Sequence, residues 1–359
     1  MGPRRDRTRG NRAHVARKVL IVKLAAIGDV VMALPMVTAL RAETPDVHIT
    51  WLCGRKAAPL VRLVNGIDAV IAVDEAAMLA GTVPAQVVSV IDAWLHIGAR
   101  RFDAVYIAHW DIRYGVLTWT VRAQMRRSLR GSPARRGIVH GRSHPDEYLR
   151  LVTGRDDYRA VRFSPPEITV NLPDRLKRRV EAFNPEARPL VALTPGGARN
   201  VARENPLRRW PLERYAELTD TLVSRGYRVV LTGDRTDGWV RTAFRERPTL
   251  DLIGATDLPS LAALLQRCAI VVGHDSGPLH LARLVGTPTV ALLGPTPPSM
   301  FFGETRKTVY LWPGGGLPCA PCYDGQEFAN CQNNVCMQLI DPATVARTVM
   351  AAVAPPAAL

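Results

Sequence analysis

The sequence predicts an α/β protein made of two halves, each with a parallel sheet. Short β-rich runs alternate with amphipathic stretches, the order that yields strand-helix-strand units. That alternation starts twice, on either side of a polar, proline-bounded stretch from Asn171 to Pro189. A length of 359 residues is also more than one ordinary domain needs and suits two, each with its own core. Ligands in such sheets sit beyond the carboxyl ends of the strands, and two facing halves add a cleft between them.

In the first half, Lys18–Lys23 reads as the opening strand, Leu24–Gly28 as a loop and Asp29–Ala42 as a helix. Val47–Leu52, Ala69–Val73 and Ala104–Ala108 are further strands, with helical segments such as Pro84–Ala99 between them. The second half opens on the strand Pro189–Leu193. It continues through a helix at Leu212–Arg225, a strand at Tyr227–Leu231 and a helix at Leu258–Gln266. The apolar strand Ala269–Gly273 stops at His-Asp-Ser-Gly-Pro, and a helix follows over Gly277–Val285, ended by Gly286 and Pro288. The implied boundaries are a basic arm over 1–17, a first domain over 18–172, a linker over 173–188 and a second domain over 189–359.

Lys and Arg outnumber Asp and Glu by 47 to 32, a formal net charge of +15. Such a balance favours polyanionic partners: nucleic acid, an anionic membrane face or phosphorylated substrates. The first 17 residues are basic but lack the apolar core of a secretory signal, so they read as a solvated arm. Apolar runs are broken by Asp29, Asp92 and Gly/Pro pairs before the ~18 to 20 residues a membrane span needs. The expected location is the cytoplasm.

Asp275 and Ser276 occupy a predicted strand-to-helix turn, where either can cap the helix, Gly277 allows close approach and Pro278 suits the first turn. A helix N-terminus beside a glycine is an anion site with phosphate as its usual occupant, and His280 adds a donor. The alternative is an ordinary capped helix with a packed histidine. In the first half Gly28 and Asp29 sit at the corresponding turn, which brings the Asp29 carboxylate to the rim of the cleft, an N-capping role being the alternative. A carboxylate on one side and a phosphate cradle on the other suit sugar transfer. The acid takes the acceptor's proton and the cradle stabilises the departing nucleotide diphosphate.

Three stretches, 18–54, 194–234 and 251–298, together resemble glycosyltransferase family 9, the ADP-heptose heptosyltransferases of lipopolysaccharide assembly. The resemblance implies a GT-B fold, two Rossmann-like domains with the active site between them. It also implies a metal-independent, inverting transfer from ADP-heptose that needs no catalytic cofactor. By position, Asp29 matches the family's catalytic base, and Asp275, Ser276, Gly277 and His280 match its donor-binding D-x-G-x-x-H segment. Thr194, Pro195 and Gly196 fall in the loop that approaches the nucleotide. Where the family has K-x-W-P, this chain has Arg208-Arg209-Trp210-Pro211, so Arg208 keeps the charge but offers a planar fork; a solvated surface is the alternative. Lys23 is a further candidate for the developing phosphate charge and Asp234 for the nucleoside, whereas Trp210 reads as packing.

Cys53 and Cys268 lie in apolar strand contexts and read as inert core. Cys319, Cys322, Cys331 and Cys336 cluster as a C-x2-C pair and two further thiols, compatible with a structural zinc or iron ion; disulfides are the alternative. On the acceptor side, His109, Trp110 and Asp111 stand at a strand end where the family's D-x-Q-G-like segment differs, and are expected to line the acceptor pocket. The acceptor is then a glycolipid, a protein or a small molecule. Arg122, Arg126, Arg127, Arg130, Arg135, Arg136 and Arg142 form a run without an acid, with Arg122, Arg126 and Arg130 on one helical face. That face is either simply solvated or a contact for phosphorylated lipid on an anionic membrane, with the protein peripheral at the inner membrane. The readings that compete are a GT-B enzyme using a UDP- or GDP-sugar and, from another class, a non-catalytic basic protein binding nucleic acid. No nucleic-acid motif is present, and no nucleic-acid partner is expected.

Overall fold

The structure is a computed structural model that describes residues 17–129, 142–155, 157, 165–199, 203–302, 307–323 and 328–353. The basic arm up to residue 16, and Arg130, Arg135 and Arg136 of the arginine run, lie outside these residues.

In the first half, β1 (Lys18–Val22), β2 (His48–Gly54), β3 (Ala69–Val73), β4 (Arg101–Ile107) and β5 (Arg122–Ser128) form a parallel sheet in the order β3-β2-β1-β4-β5. Both faces of β1 are buried, Val19 and Ile21 into one apolar cluster and Leu20 and Val22 into another, which is why its sequence is continuously apolar. The first cluster takes in α1 (Ile27–Ala33), α2 (Pro35–Glu43), α3 (Ala58–Val61), α7 (His144–Thr153) and Leu176 of α8 (Asp174–Phe183). The second takes in α4 (Glu75–Ala80), α5 (Val83–Ile97) and α6 (Ile112–Leu117).

In the second half, β6 (Leu190–Thr194), β7 (Arg228–Leu231), β8 (Thr249–Asp251), β9 (Ile270–His274), β10 (Thr289–Leu292) and β11 (Thr308–Leu311) pair in parallel in the order β11-β10-β9-β6-β7-β8. Helices α9 (Leu212–Ser224), α10 (Leu258–Gln266), α11 (Gly277–Leu284), α12 (Pro298–Phe301), α13 (Val335–Gln338) and α14 (Pro342–Ala352) complete it. Each sheet reverses its order between its first strand and the neighbour that begins the second set, β1 beside β4 and β6 beside β9. A crevice opens at the carboxyl ends of such a pair because the flanking connections leave in opposite directions.

Three expectations are corrected. The first helix begins at Ile27, so Gly28 and Asp29 lie inside its first turn, and Pro35, which lacks an N–H, divides it into α1 and α2. The stretch expected as a linker contains α8, whose Leu176 is buried in the core. Arg122–Ser128 is the edge strand β5, so the proposed helical face of arginines does not form. There Arg126 donates to the Thr118 hydroxyl and carbonyl, Arg127 to the Leu151 carbonyl, and Arg142 pairs with Glu147.

The halves meet where α1 crosses α11. A Cβ on Gly28 would stand 2.8 Å from His280 Cδ2, and one on Gly277 would stand 3.3 Å from Ile27 Cβ. One apolar cluster continues from β1 and α1 through this crossing into Leu261 and Leu264 of α10 and Leu281 of α11. Among the described residues no helix is long and apolar enough to cross a membrane.

Gly28→Ala therefore forces the His280 ring or one of the helices to move. We expect a loss of about 1–3 kcal/mol in denaturant unfolding, whereas Gly115→Ala, which has open space around it, stays far closer to the parent.

Candidate active site

Asp29 projects from the first turn of α1 at the mouth of the β1–β4 crevice, where a carboxylate is favoured by the helix dipole. Its Oδ2 accepts the Ala26 N–H at 3.2 Å and lies 3.6 Å from Lys23 Nζ; the Tyr148 hydroxyl donates to Oδ1 at 3.4 Å. Burial alone would raise its pKa. Lys23, His144, His109 and the Ala26 amide outweigh that and hold it below the ordinary carboxylate value, so the side chain is ionised at neutral pH. Lys23 is itself buried, its pKa lowered by desolvation against the pull of Asp29, with its ammonium 5.2 Å over the Tyr148 ring. It therefore belongs with Asp29 in the first half.

His109 stacks between Trp110 at 4.9 Å and Tyr114 at 4.1 Å, and its Nδ1 accepts the Asp111 N–H at 2.9 Å. Burial, helped by Lys23, pushes it down to about 3, so it is a neutral ring with its proton on Nε2. Asp111 is half-buried. It caps α6 through the Arg113 N–H and is clamped by the Arg113 guanidinium.

Helix α7, which sequence reasoning missed, closes this wall. His144 lies 4.6 Å from the Phe301 ring of the second half and 6.5 Å, edge-on, from Trp110. The signal was present in Ser143-His144-Pro145-Asp146: the Ser143 hydroxyl accepts the Asp146 N–H, and the Asp146 carboxylate accepts the Ser143 N–H.

Across the cleft, Asp275 is buried directly after β9. Arg208 Nη1 reaches its Oδ2 at 3.3 Å, as does the Thr296 hydroxyl, and His280 Nε2 lies 3.6 Å from Oδ1. Burial would raise this carboxyl, but Arg208 and His280 hold it well below the usual range. Neither Asp275 nor Ser276 caps α11 through its side chain. The Ser276 hydroxyl donates instead to the His274 carbonyl. Pro278 has no N–H, and the amides of Leu279 and His280 turn back to the Ser276 carbonyl; among the described residues those of Ser276 and Gly277 have no such partner and are open to a ligand. His280 stacks on Phe302 with ring centroids 4.7 Å apart.

Thr194 ends β6 beside Gly273, and Pro195 and Gly196 follow. A Cβ on Gly196 would meet Asp237 at 2.3 Å. Asp237 accepts the Gly197 and Asp234 N–H groups, so this buried residue braces the loop; the exposed Asp234, singled out from the sequence, caps the short helix Arg235–Ala243 through Thr236. Arg208 Nε and Thr194 Oγ1 are buried without a hydrogen-bond partner among the described residues. Trp210 is buried packing, its Nε1 donating to the Ile340 carbonyl.

Burial pushes Cys53 and Cys268 up to about 12, which fits inert core thiols. In the other cluster, burial and the neighbouring thiols raise Cys322 and Cys336, so the four sulfurs share one neighbourhood. The Asn334 N–H donates to Cys331 Sγ, and the Cys336 thiol donates to Asn334 Oδ1. Among the described residues, Cys319, Cys322, Cys331 and Cys336 do not form a group arranged to hold a metal ion, nor does any other set of three or more such side chains.

A sequence profile of glycosyltransferase family 9 (heptosyltransferase) matches residues 90–331. Lipooligosaccharide heptosyltransferase 2 of Haemophilus ducreyi is 33% identical over 135 residues, a stretch that spans 35% of this chain and only 37% of that protein. Lipopolysaccharide heptosyltransferase 2 of Salmonella typhimurium is 24% identical over 302 residues, covering 78% of this chain and 84% of that protein. Among solved structures, ADP-heptose LPS heptosyltransferase II of E. coli aligns with a TM-score of 0.68 at 19% identity, over 93% of this chain and 98% of that one. That likeness shows the fold: two facing Rossmann-like halves of the GT-B type.

The depressed histidines predict an acid limit. His109 and His274, both pushed to about 3 from 6.5, stay neutral in the native protein while they protonate in the unfolded chain. Their contribution to stability is complete above about pH 6.5 and is lost as pH falls toward 3. Urea unfolding measured across that range should show the decline, and His109→Gln should make it shallower.

Proposed function

Because the chain belongs to glycosyltransferase family 9, we propose that it is an enzyme that moves a heptose from ADP-heptose to an acceptor hydroxyl in lipopolysaccharide core assembly. The observation that supports this most directly is the pairing across one cleft. An ionised carboxylate, Asp29, stands on one side, and two buried, unpartnered polar atoms, Arg208 Nε and Thr194 Oγ1, stand on the other. Buried donors without partners are costly, and a phosphate oxygen relieves that cost.

In this reading the first half, 18–172, binds the acceptor and the second, 189–359, the donor. The acceptor hydroxyl attacks the anomeric carbon from the face opposite the nucleotide, so the configuration inverts. The new C–O bond forms as the bond to the diphosphate breaks, and Asp29 takes the hydroxyl proton. Negative charge that develops on the leaving ADP is met by Arg208 and by the Ser276 and Gly277 amides, with no metal required. Asp275 and His280 position Arg208 and the start of α11. Lys23 keeps Asp29 ionised. His109, Trp110, His144 and Tyr148 form an aromatic wall on which an acceptor sugar can stack.

A glycolipid is the acceptor this reading favours, with a cytoplasmic site of action at the inner membrane; a protein or small-molecule acceptor would use the same base and cradle.

Calorimetry with ADP, GDP, UDP and CDP, without divalent metal, should give clear preference for ADP; preference for another nucleotide would overturn the heptose donor. Asp29→Ala should lower kcat by ~10²–10⁴ with ADP binding retained. Arg208→Ala should lower transfer by ~10²–10³ and weaken ADP binding as well. Full transfer by folded Asp29→Ala would remove the proposed base.

A further inference from the structure

Of the twelve exposed large apolar side chains among the described residues, eight lie in α5, α6 and the turn that follows. On α5 they are Val83, Val87, Val88, Ile91 and Leu95, spaced to form one stripe opposite the buried Ser89, Ala93 and Ile97. Val83 is 73% exposed and Leu95 77%. Ile112 and Val116 of α6 continue the patch, and Trp119 ends it at 76% exposure, edge-on to Trp94 at 6.0 Å. The Trp94 Nε1 donates to the Val116 carbonyl, which fixes the two helices to each other. The only charged side chain on α5 is Asp92, which is taken up by Arg55 and His96. A surface helix normally turns polar residues outward, so a helix apolar on both faces has a second face to cover.

Charge decides what covers it. Arg100, Arg101 and Arg122 gather where α5 ends and β4 and β5 begin: Arg101 and Arg122 are register partners, and the Arg122 N–H donates to the Arg100 carbonyl. All three are exposed and have no carboxylate within ion-pair distance among the described residues. Lys18, Arg101 and Arg122 also line a shallow cleft of about 470 Å³, with Asp103 on its wall. A second copy would bring the same cations, and a formal charge of +15, against themselves. Anionic headgroups would meet the arginines while the acyl region received the apolar stripe, and tryptophan favours that boundary.

We propose that the outward face of α5, α6 and Trp119 seats the protein on a bilayer containing anionic lipid, with Arg100, Arg101 and Arg122 among the headgroups. The patch runs along the sheet from these arginines to the start of α6, which follows directly on His109, Trp110 and Asp111 at the carboxyl edge. A lipid-anchored acceptor held in that bilayer would present its sugars beside the cleft; this last step rests on the glycolipid reading above.

The test is sedimentation of the full chain with sucrose-loaded vesicles of phosphatidylcholine alone or with 30% phosphatidylglycerol, a composition chosen for roughly physiological anionic charge. The parent protein should pellet with the anionic vesicles, and less so as salt is raised. The double variant V88S/L95S and the single variant W119S should each bind at least about tenfold more weakly, one decade being about 1.4 kcal/mol. Arg100→Gln, Arg101→Gln and Arg122→Gln combined should abolish the preference for anionic lipid. ADP titration of each variant reports both folding and the donor reading: a parent that fails to bind ADP but still pellets would strike the donor reading alone. The docking surface is overturned if the parent stays in the supernatant, or if V88S/L95S pellets like the parent. It is equally overturned if light scattering shows a parent dimer that V88S/L95S converts to monomer, since the face would then join two chains.

Discussion

The crossing of α1 over α11 is the constraint on which the site depends. Two glycines, Gly28 and Gly277, let two helix N-termini come together where a Cβ on Gly28 would collide with His280 and one on Gly277 would crowd Ile27. Both helices leave the carboxyl edge of a parallel sheet at its point of reversed order, so each starts at a crevice. Bringing the starts into contact merges two crevices into one cleft and aims two positive dipole ends at the same space. The start of α7 is added to them through the contact of His144 with Phe301.

Each half then solves the same electrostatic problem in a different way. A carboxylate at a closed cleft loses hydration and needs a partner, and the two chosen are Lys23 for Asp29 and Arg208 for Asp275. Asp29 keeps an exposed edge, at 30% of its side chain, so a substrate hydroxyl can reach an oxygen that is already ionised. Asp275 is enclosed, with Arg208, Thr296 and His280 around it, and serves to aim the guanidinium. The planar fork matters here, because one nitrogen holds Asp275 while Nε remains for an anion. A lysine ammonium could not divide its donors with that fixed geometry.

The first sheet is covered asymmetrically. On the face of α1, α2 and α7 the apolar cluster continues into the second half, so those helices are buried on more than one side. On the other face α5 has only the sheet and its neighbours beneath it, and its outward stripe remains open to solvent. The chain thus has one apolar surface used to join its halves and another left at its boundary.

The sequence by itself determined the elements whose signal is local. Continuous apolar runs such as Val19–Val22 and Ile270–Val272 belong to strands buried on both faces, and the Asp-Ser-Gly-Pro turn after β9 announces a helix through residues next to one another. Turn chemistry places Asp29 and Asp275 next to the ends of β1 and β9, and Arg208 is legible from its position before Trp210-Pro211; the structure puts Asp29 in the first turn of α1 and Arg208 in a short turn beside Asp275. Tertiary structure alone decided that Arg122–Ser128 is an edge strand, since its arginines satisfy helical spacing and only pairing with β4 reveals the strand. It also decided that Asp111 is a cap clamped by Arg113, and that Asp237 rather than Asp234 braces the loop at Gly197. Tyr148 meets Asp29 across 119 residues of chain, and such a contact leaves no periodicity to read. Local patterns follow from the 2.0 and 3.6 residue repeats of the backbone, whereas the partner of a buried charge is set by which distant surfaces the fold presses together.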